Sequence, residues 1–202
     1  MEMIARARLR AGDESAFAEL FDQYAQAVYR HAVRLTGDRS TAEDVVSATF
    51  LQAWRLRESI EADGGSLRPW LLGVATNTAR NMTRKARRLE RVLPWLSRPD
   101  VTPDFADEVA GRVDDAGRLA LAVAALRGLR TAEREVVALC VWAGLDYAEA
   151  AEALGIPIGT VRSRLSRARE KLRKLSREPD RAPGQLDGGR IHAARPAQEG
   201  NR

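Results

Sequence analysis

Apolar side chains in the N-terminal part of the chain recur at helical, not strand, spacing. Phe17, Leu20, Phe21, Tyr24 and Val28 fall at i, i+3, i+4, i+7 and i+11 and therefore share one helix face. Gly37 ends that helix, and Ser40-Thr41-Ala42-Glu43 reads as a capping box opening the next. In the second helix Val46, Phe50, Ala53 and Trp54 form an apolar stripe. Asp44, Ser47, Ala48, Leu51 and Arg55 form another, partly polar stripe, which spacing alone reads as ordinary surface. After Gly64-Gly65, Pro69 sits where the first turn of a third helix tolerates proline. Leu71, Val74, Ala75, Thr78 and Met82 make its inward face, and Asn77, Asn81, Arg84 and Arg88 share the other.

The C-terminal part repeats this pattern. Leu119, Val123 and Leu126 give one amphipathic segment. Thr131 caps the next, with Glu133 and Glu135 favourably placed for the helix dipole and Gly144 at its end. Asp146-Tyr147-Ala148-Glu149 is a second capping box, starting a helix through Leu154 that Gly155 closes. Pro157 then admits a long helix reaching to about Leu175. No segment alternates strictly, so the fold class is all-α. Between Leu89 and Gly117 the periodicity breaks at Pro94, Pro99 and Pro103, beside the acidic Asp104, Asp107 and Glu108. From Pro179 to Arg202 there is almost nothing to bury. The expectation is two small helical domains, 1–88 and 118–178, joined by a flexible linker, 89–117, with a disordered tail, 179–202.

Composition narrows the function classes. An apolar fraction of 45% and a charged fraction of 30% over 202 residues fit a soluble globular chain. Aromatics at 5% mean that the core is built mainly from aliphatic side chains. A single cysteine, Cys140, excludes an intramolecular disulfide, and with only His31 and His192 beside it a zinc site is not expected. Cys140, beside Val136, Val137 and Val141, reads as packing, and His31 as a helix-surface histidine. No acid–base or nucleophile constellation appears, so no enzyme and no cofactor are expected. No apolar run approaches membrane-spanning length and no export signal is visible, which makes a cytoplasmic location the default.

The net charge of +5 matters only where it is concentrated. Asp146 to Leu175 reads as a helix-turn-helix: Ala148, Ala151 and Leu154 inward, a left-handed Gly155, then Ile158, Val161 and Leu165 inward. The opposite side carries Arg162, Ser163, Ser166 and Arg167, suited to phosphates and to guanine edges. The third helix of the first domain places Asn77 and Asn81 four apart, with Trp70 at its start and Arg80, Arg84, Lys85, Arg87, Arg88 and Arg91 following. Amides, an aromatic and cations together suit opened nucleic acid. Gly155-Ile156-Pro157-Ile158-Gly159-Thr160 lacks the lysine and the preceding strand of a phosphate loop.

These residues resemble a known family. Ala42 to Trp54 is similar to the core-polymerase-binding helix of bacterial sigma factors, Arg68 to Asn77 to their −10-recognition helix, and Gly155 to Arg169 to their −35-recognition helix-turn-helix. The short chain and bare linker resemble the extracytoplasmic-function (ECF) type of the sigma-70 family, over roughly Glu14 to Arg177. The resemblance implies docking on the β′ clamp helices and the β flap of core RNA polymerase, promoter DNA as ligand, and an anti-sigma factor as inhibitor. It implies core-polymerase contacts at Asp44, Ser47, Ala48 and Leu51, although relatives often carry Gln-Glu where this chain has Ser47-Ala48. It implies −10 contacts at Trp70, Asn77, Asn81, Arg84 and Arg88, with Asn77 at a flipped base. It implies −35 contacts at Thr160, Arg162, Ser163, Ser166 and Arg167. The competing reading is a free-standing helix-turn-helix regulator, which would bind a palindromic duplex tightly without polymerase.

Overall fold

The computed structural model describes residues 2–61, 65–92, 126 and 128–177. They form seven α-helices and, among the described residues, no strand. The first module holds α1 (Glu2–Arg10), α2 (Glu14–Thr36), α3 (Arg39–Arg55) and α4 (Leu67–Val92), with a 3-10 turn at Arg57–Ser59. The second holds α5 (Thr131–Val137), a π-helical turn (Ala138–Trp142), α6 (Tyr147–Leu154) and α7 (Ile158–Arg177). α4 continues through Val92, so the first four residues of the expected linker, 89–92, are helical. The remainder of that linker, Leu119 and Val123, and the tail lie outside the described residues.

Helix ends follow local chemistry. Asp13 caps α2, accepting from the Ser15 and Ala16 amides, and Gly37 closes it at φ +74°. The cap of α3 is Asp38, which accepts from the Thr41 amide at 2.9 Å. The Ser40 capping box is thus displaced: an aspartate two residues upstream caps the helix instead, at the Thr41 amide. Arg130, not Thr131, occupies the cap of α5, and Glu133 reaches back to its amide at 3.0 Å. The box at Asp146 forms as expected, with Glu149 accepting from the Asp146 amide at 2.8 Å.

α1 forms from a run rich in arginine and alanine that carries no extended apolar stripe of its own. Leu9 is buried, and Arg6, 5% exposed, donates to the carbonyl oxygens of Gly65, Glu61 and Ser66. One buried guanidinium thereby satisfies three loop carbonyls and pins the α3–α4 connection onto α1.

The core of the first module gathers Leu20, Tyr24 and Val28 of α2, Val45, Phe50 and Ala53 of α3, and Leu71 and Ala75 of α4. Phe17 meets Phe50 and Trp54 edge-on, with ring centroids 6.2 and 5.0 Å apart, and Phe21 lies at the exposed edge. α4 is buried on more than the expected stripe. Leu71, Leu72, Gly73, Val74, Ala75 and Thr76 are consecutively buried, while Thr78 and Met82 are only half-buried.

The cause is the second module, whose α6 packs along α4. Ala150, Ala151 and Ala153 of α6 belong to the same apolar core as Leu71, Leu72 and Ala75. Gly73 permits this approach: a Cβ at that position would lie 2.4 Å from the carbonyl oxygen of Ala153. Across the same seam Arg80 donates to both carboxylate oxygens of Glu135, at 2.8 and 2.7 Å, and the Arg34 guanidinium sits 5.6 Å from the Trp142 ring centre. Two bodies that the chain pattern separates are packed face to face here.

Candidate nucleic-acid interface

α6, Gly155 and α7 form the helix-turn-helix. Gly155 has φ +62°, and its turn is tied by the Ile156 amide donating to the Ala151 carbonyl. Pro157 precedes α7, and its carbonyl accepts from the Thr160 and Val161 amides. Val161, Leu165 and Ala168, recurring at helical spacing, are buried. Two details differ from the expected pattern. Ala148 is exposed and Ala150 and Ala153 are buried in its stead, because α6 packs on both α7 and α4. Ile158 is 42% exposed because it lies in the first turn of α7, ahead of the buried stripe.

The outward side of α7 carries the expected group. Arg162, Ser163, Ser166 and Arg167 are exposed and Thr160 is half-buried. Ser163 donates its hydroxyl to the Thr160 carbonyl at 3.0 Å, and Arg167 Nε donates to the Ser163 carbonyl at 3.2 Å. Arg162 lies 5.8 Å from the Tyr147 ring centre. These are weak, solvent-exposed tethers, so the polar ends can exchange them for base edges and phosphates at little cost.

On α4, Asn77, Asn81, Arg84 and Arg88 are exposed, so amides and cations share one ridge. Asn77 Oδ1 accepts a long, 3.4 Å hydrogen bond from Arg80. Trp70 is half-buried against the core. On α3, Asp44, Ser47 and Leu51 are exposed and Ala48 is half-buried, giving a continuous outward face with Leu51 at 54% exposure.

His31 departs from its expected surface position. It is buried, with Nε2 2.8 Å from the Thr76 hydroxyl. Thr76 spends its own proton on the Leu72 carbonyl, so Nε2–H donates and the neutral ring is held. Burial, with Arg34 and Arg68 nearby, pushes its pKa down to about 3. Cys140 is half-buried and its thiol is pushed up by burial, in keeping with packing. Two long-range interactions escape a reading by local spacing: the Arg80–Glu135 pair and the Arg6 contacts. Each joins residues more than fifty positions apart, and no local spacing marks such pairs.

Comparison with known proteins agrees with this geometry. Residues 20–89 match the family described as Sigma-70 region 2, and residues 119–172 match Sigma-70, region 4. The chain is 38% identical over 172 residues to the ECF RNA polymerase sigma factor SigL of Mycobacterium tuberculosis, covering 83% of this chain and 93% of that one. It is 32% identical over 180 residues to the RNA polymerase sigma factor NccH of Alcaligenes xylosoxydans xylosoxydans, covering 86% and 93%. Among solved structures, CnrH in complex with the cytosolic domain of CnrY aligns with a TM-score of 0.62 at 27% identity, over 87% of this chain and 96% of that one. The sigma factor RpoE of Bartonella quintana, solved with the anti-sigma factor NepR, aligns with a TM-score of 0.64 at 28% identity, over 80% and 97%. The chain belongs to the sigma-70 family, among the ECF RNA polymerase sigma factors.

Proposed function

We propose that this chain directs core RNA polymerase to promoters, with residues 1–88 as the polymerase-binding and −10-opening unit and residues 118–178 as the −35 reader. The observation that carries the reading is the pair of outward faces: an exposed Asn/Arg ridge on α4 and an exposed Arg/Ser face on α7, each set on its own helical module. Asn77 receives the extruded base, Trp70 supports the start of the ridge, and Asn81, Arg84 and Arg88 hold the opened strand. Thr160, Arg162, Ser163, Ser166 and Arg167 read the upstream element. Asp44, Ser47, Ala48 and Leu51 dock on the β′ clamp helices, and the second module docks on the β flap.

The energetics suit a division of labour. Extruding one base costs a few kcal/mol, which a pocket for that base offsets. Each good base-edge pair contributes roughly 1–3 kcal/mol of discrimination. Linking two readers raises the effective concentration of each at its own DNA segment. The polymerase carries out synthesis; this chain supplies address and opening. The protein works in the cytoplasm; among the described residues no helix is long and apolar enough to cross a membrane. The relative solved with an anti-sigma factor supports control of this chain by such an inhibitor.

Mobility-shift titration separates this reading from a free-standing regulator. Promoter DNA should be bound weakly by the chain alone and tightly once core polymerase is added, at an asymmetric two-part site. Tight binding to a palindromic duplex without polymerase would establish the regulator instead.

A further inference from the structure

Between α4 and the second module lies a cleft of about 810 Å³, within the range of small-molecule sites. Its walls are cationic: Arg84, Arg87, Arg88 and Arg91 line it from α4, Arg134 from α5 and Arg164 from α7. Glu135 is the only acid among its described lining residues, and both of its oxygens are already held by Arg80. Arg84, Arg87, Arg88, Arg91 and Arg164 make no ion pair with any described residue. Burial, and next to it Arg87, lower the pKa of Arg134, while Glu135 opposes them.

The spacing is specific. Positions 84, 87, 88 and 91 fall at i, i+3, i+4 and i+7, so their side chains share one face with neighbours about 5–6 Å apart. Long side chains from these positions can bring their planar guanidinium forks together on the oxygens of adjacent phosphoryl groups.

We propose that this cleft binds a small ligand with two or more adjacent phosphoryl groups, a nucleoside polyphosphate or inorganic polyphosphate, gripped by α4 on one side and by α5 and α7 on the other. Bound there, the ligand holds the modules in their packed arrangement and covers Arg84 and Arg88. Its competition with promoter DNA rests on the role proposed above for those two arginines, but its binding does not.

Isothermal titration of the full chain with tripolyphosphate, GTP and orthophosphate tests the site without polymerase or DNA. At least one of the first two should bind one-to-one and at least about tenfold more tightly than orthophosphate, as extra charge-assisted hydrogen bonds require. Binding of tripolyphosphate alone identifies the inorganic source and binding of GTP alone the nucleotide; either result supports the site. Arg87→Gln with Arg134→Gln should weaken binding about tenfold or more, whereas Arg55→Gln, on the exposed end of α3 outside the cleft, should leave it unchanged. If the double variant fails to fold, Arg91→Gln, at an exposed position, should still weaken binding severalfold. Equal affinity for all three anions, or undiminished binding by the cleft variants, would overturn the proposal. A failed sigma reading would register separately, as absent transcription with ligand binding intact.

Discussion

Replacing Gly73 with alanine tests the seam between the modules, because helix propensity and packing push in opposite directions. Within a helix, alanine is favoured over glycine by about 0.5–1 kcal/mol. At this position the new Cβ would fall 2.4 Å from the Ala153 carbonyl oxygen, 3.0 Å from its Cα and 3.1 Å from its carbonyl carbon. All three are backbone atoms, so no rotamer change relieves the contact. Restoring ordinary separations of about 3.5 Å requires α6 to retreat by roughly 1 Å, away from apolar neighbours on both sides. Overpacking of this kind costs roughly 1–3 kcal/mol, which matches or exceeds the helix gain and leaves a net loss of about 0–2.5 kcal/mol. Urea denaturation should report that loss, and small-angle scattering should report a larger radius of gyration. A Gly73→Ala chain with unchanged radius and raised stability would refute the packing described here.

Four further outcomes follow from the same geometry. Glu135→Gln removes the charge opposite Arg80. Because the Arg80 side chain is 32% exposed, the loss in urea denaturation should be about 1–3 kcal/mol, below that of a fully buried pair, and a change near zero would mean that the pair contributes nothing. His31 binds protons more readily unfolded than folded, so its stabilising effect is complete above about pH 6.5 and is lost as pH falls toward 3; at pH 5 the cost is about 2 kcal/mol. His31→Gln should flatten the stability profile between pH 7 and 5, and an unaltered slope would contradict this. Asn77→Ala should impair open-complex formation more than polymerase binding, so normal heparin-resistant complexes would remove Asn77 from the base pocket. Arg167→Ala should relax upstream selectivity by roughly 1–3 kcal/mol at one base pair, and an unchanged preference in a randomised promoter library would count against it.

Much of each module was legible locally. The positive-φ glycines at 37 and 155, the capping box at Asp146 and the buried Val161 and Leu165 all follow from rules acting within one or two helical turns. The exposed candidates on α3, α4 and α7 were legible for the same reason, since an amphipathic stripe defines its own outer side. What stayed hidden depends on partners distant in sequence. Leu72, Gly73 and Thr76 lie off the inward stripe of α4, yet are buried because α6 covers them. His31 looked solvent-facing by spacing and is enclosed by Thr76 and the seam. The turn after α5 widens to i→i+5, with the Ala143 amide donating to the Ala138 carbonyl, a distortion no residue type announces.

Run-off transcription with purified core polymerase is the most direct test of the central claim. With the chain added, candidate promoters, its own among them, should yield discrete transcripts that disappear when either DNA element is scrambled and when the chain is omitted. If no promoter gives a transcript that depends on the protein, the assignment of α4 and α7 to promoter opening and reading is contradicted.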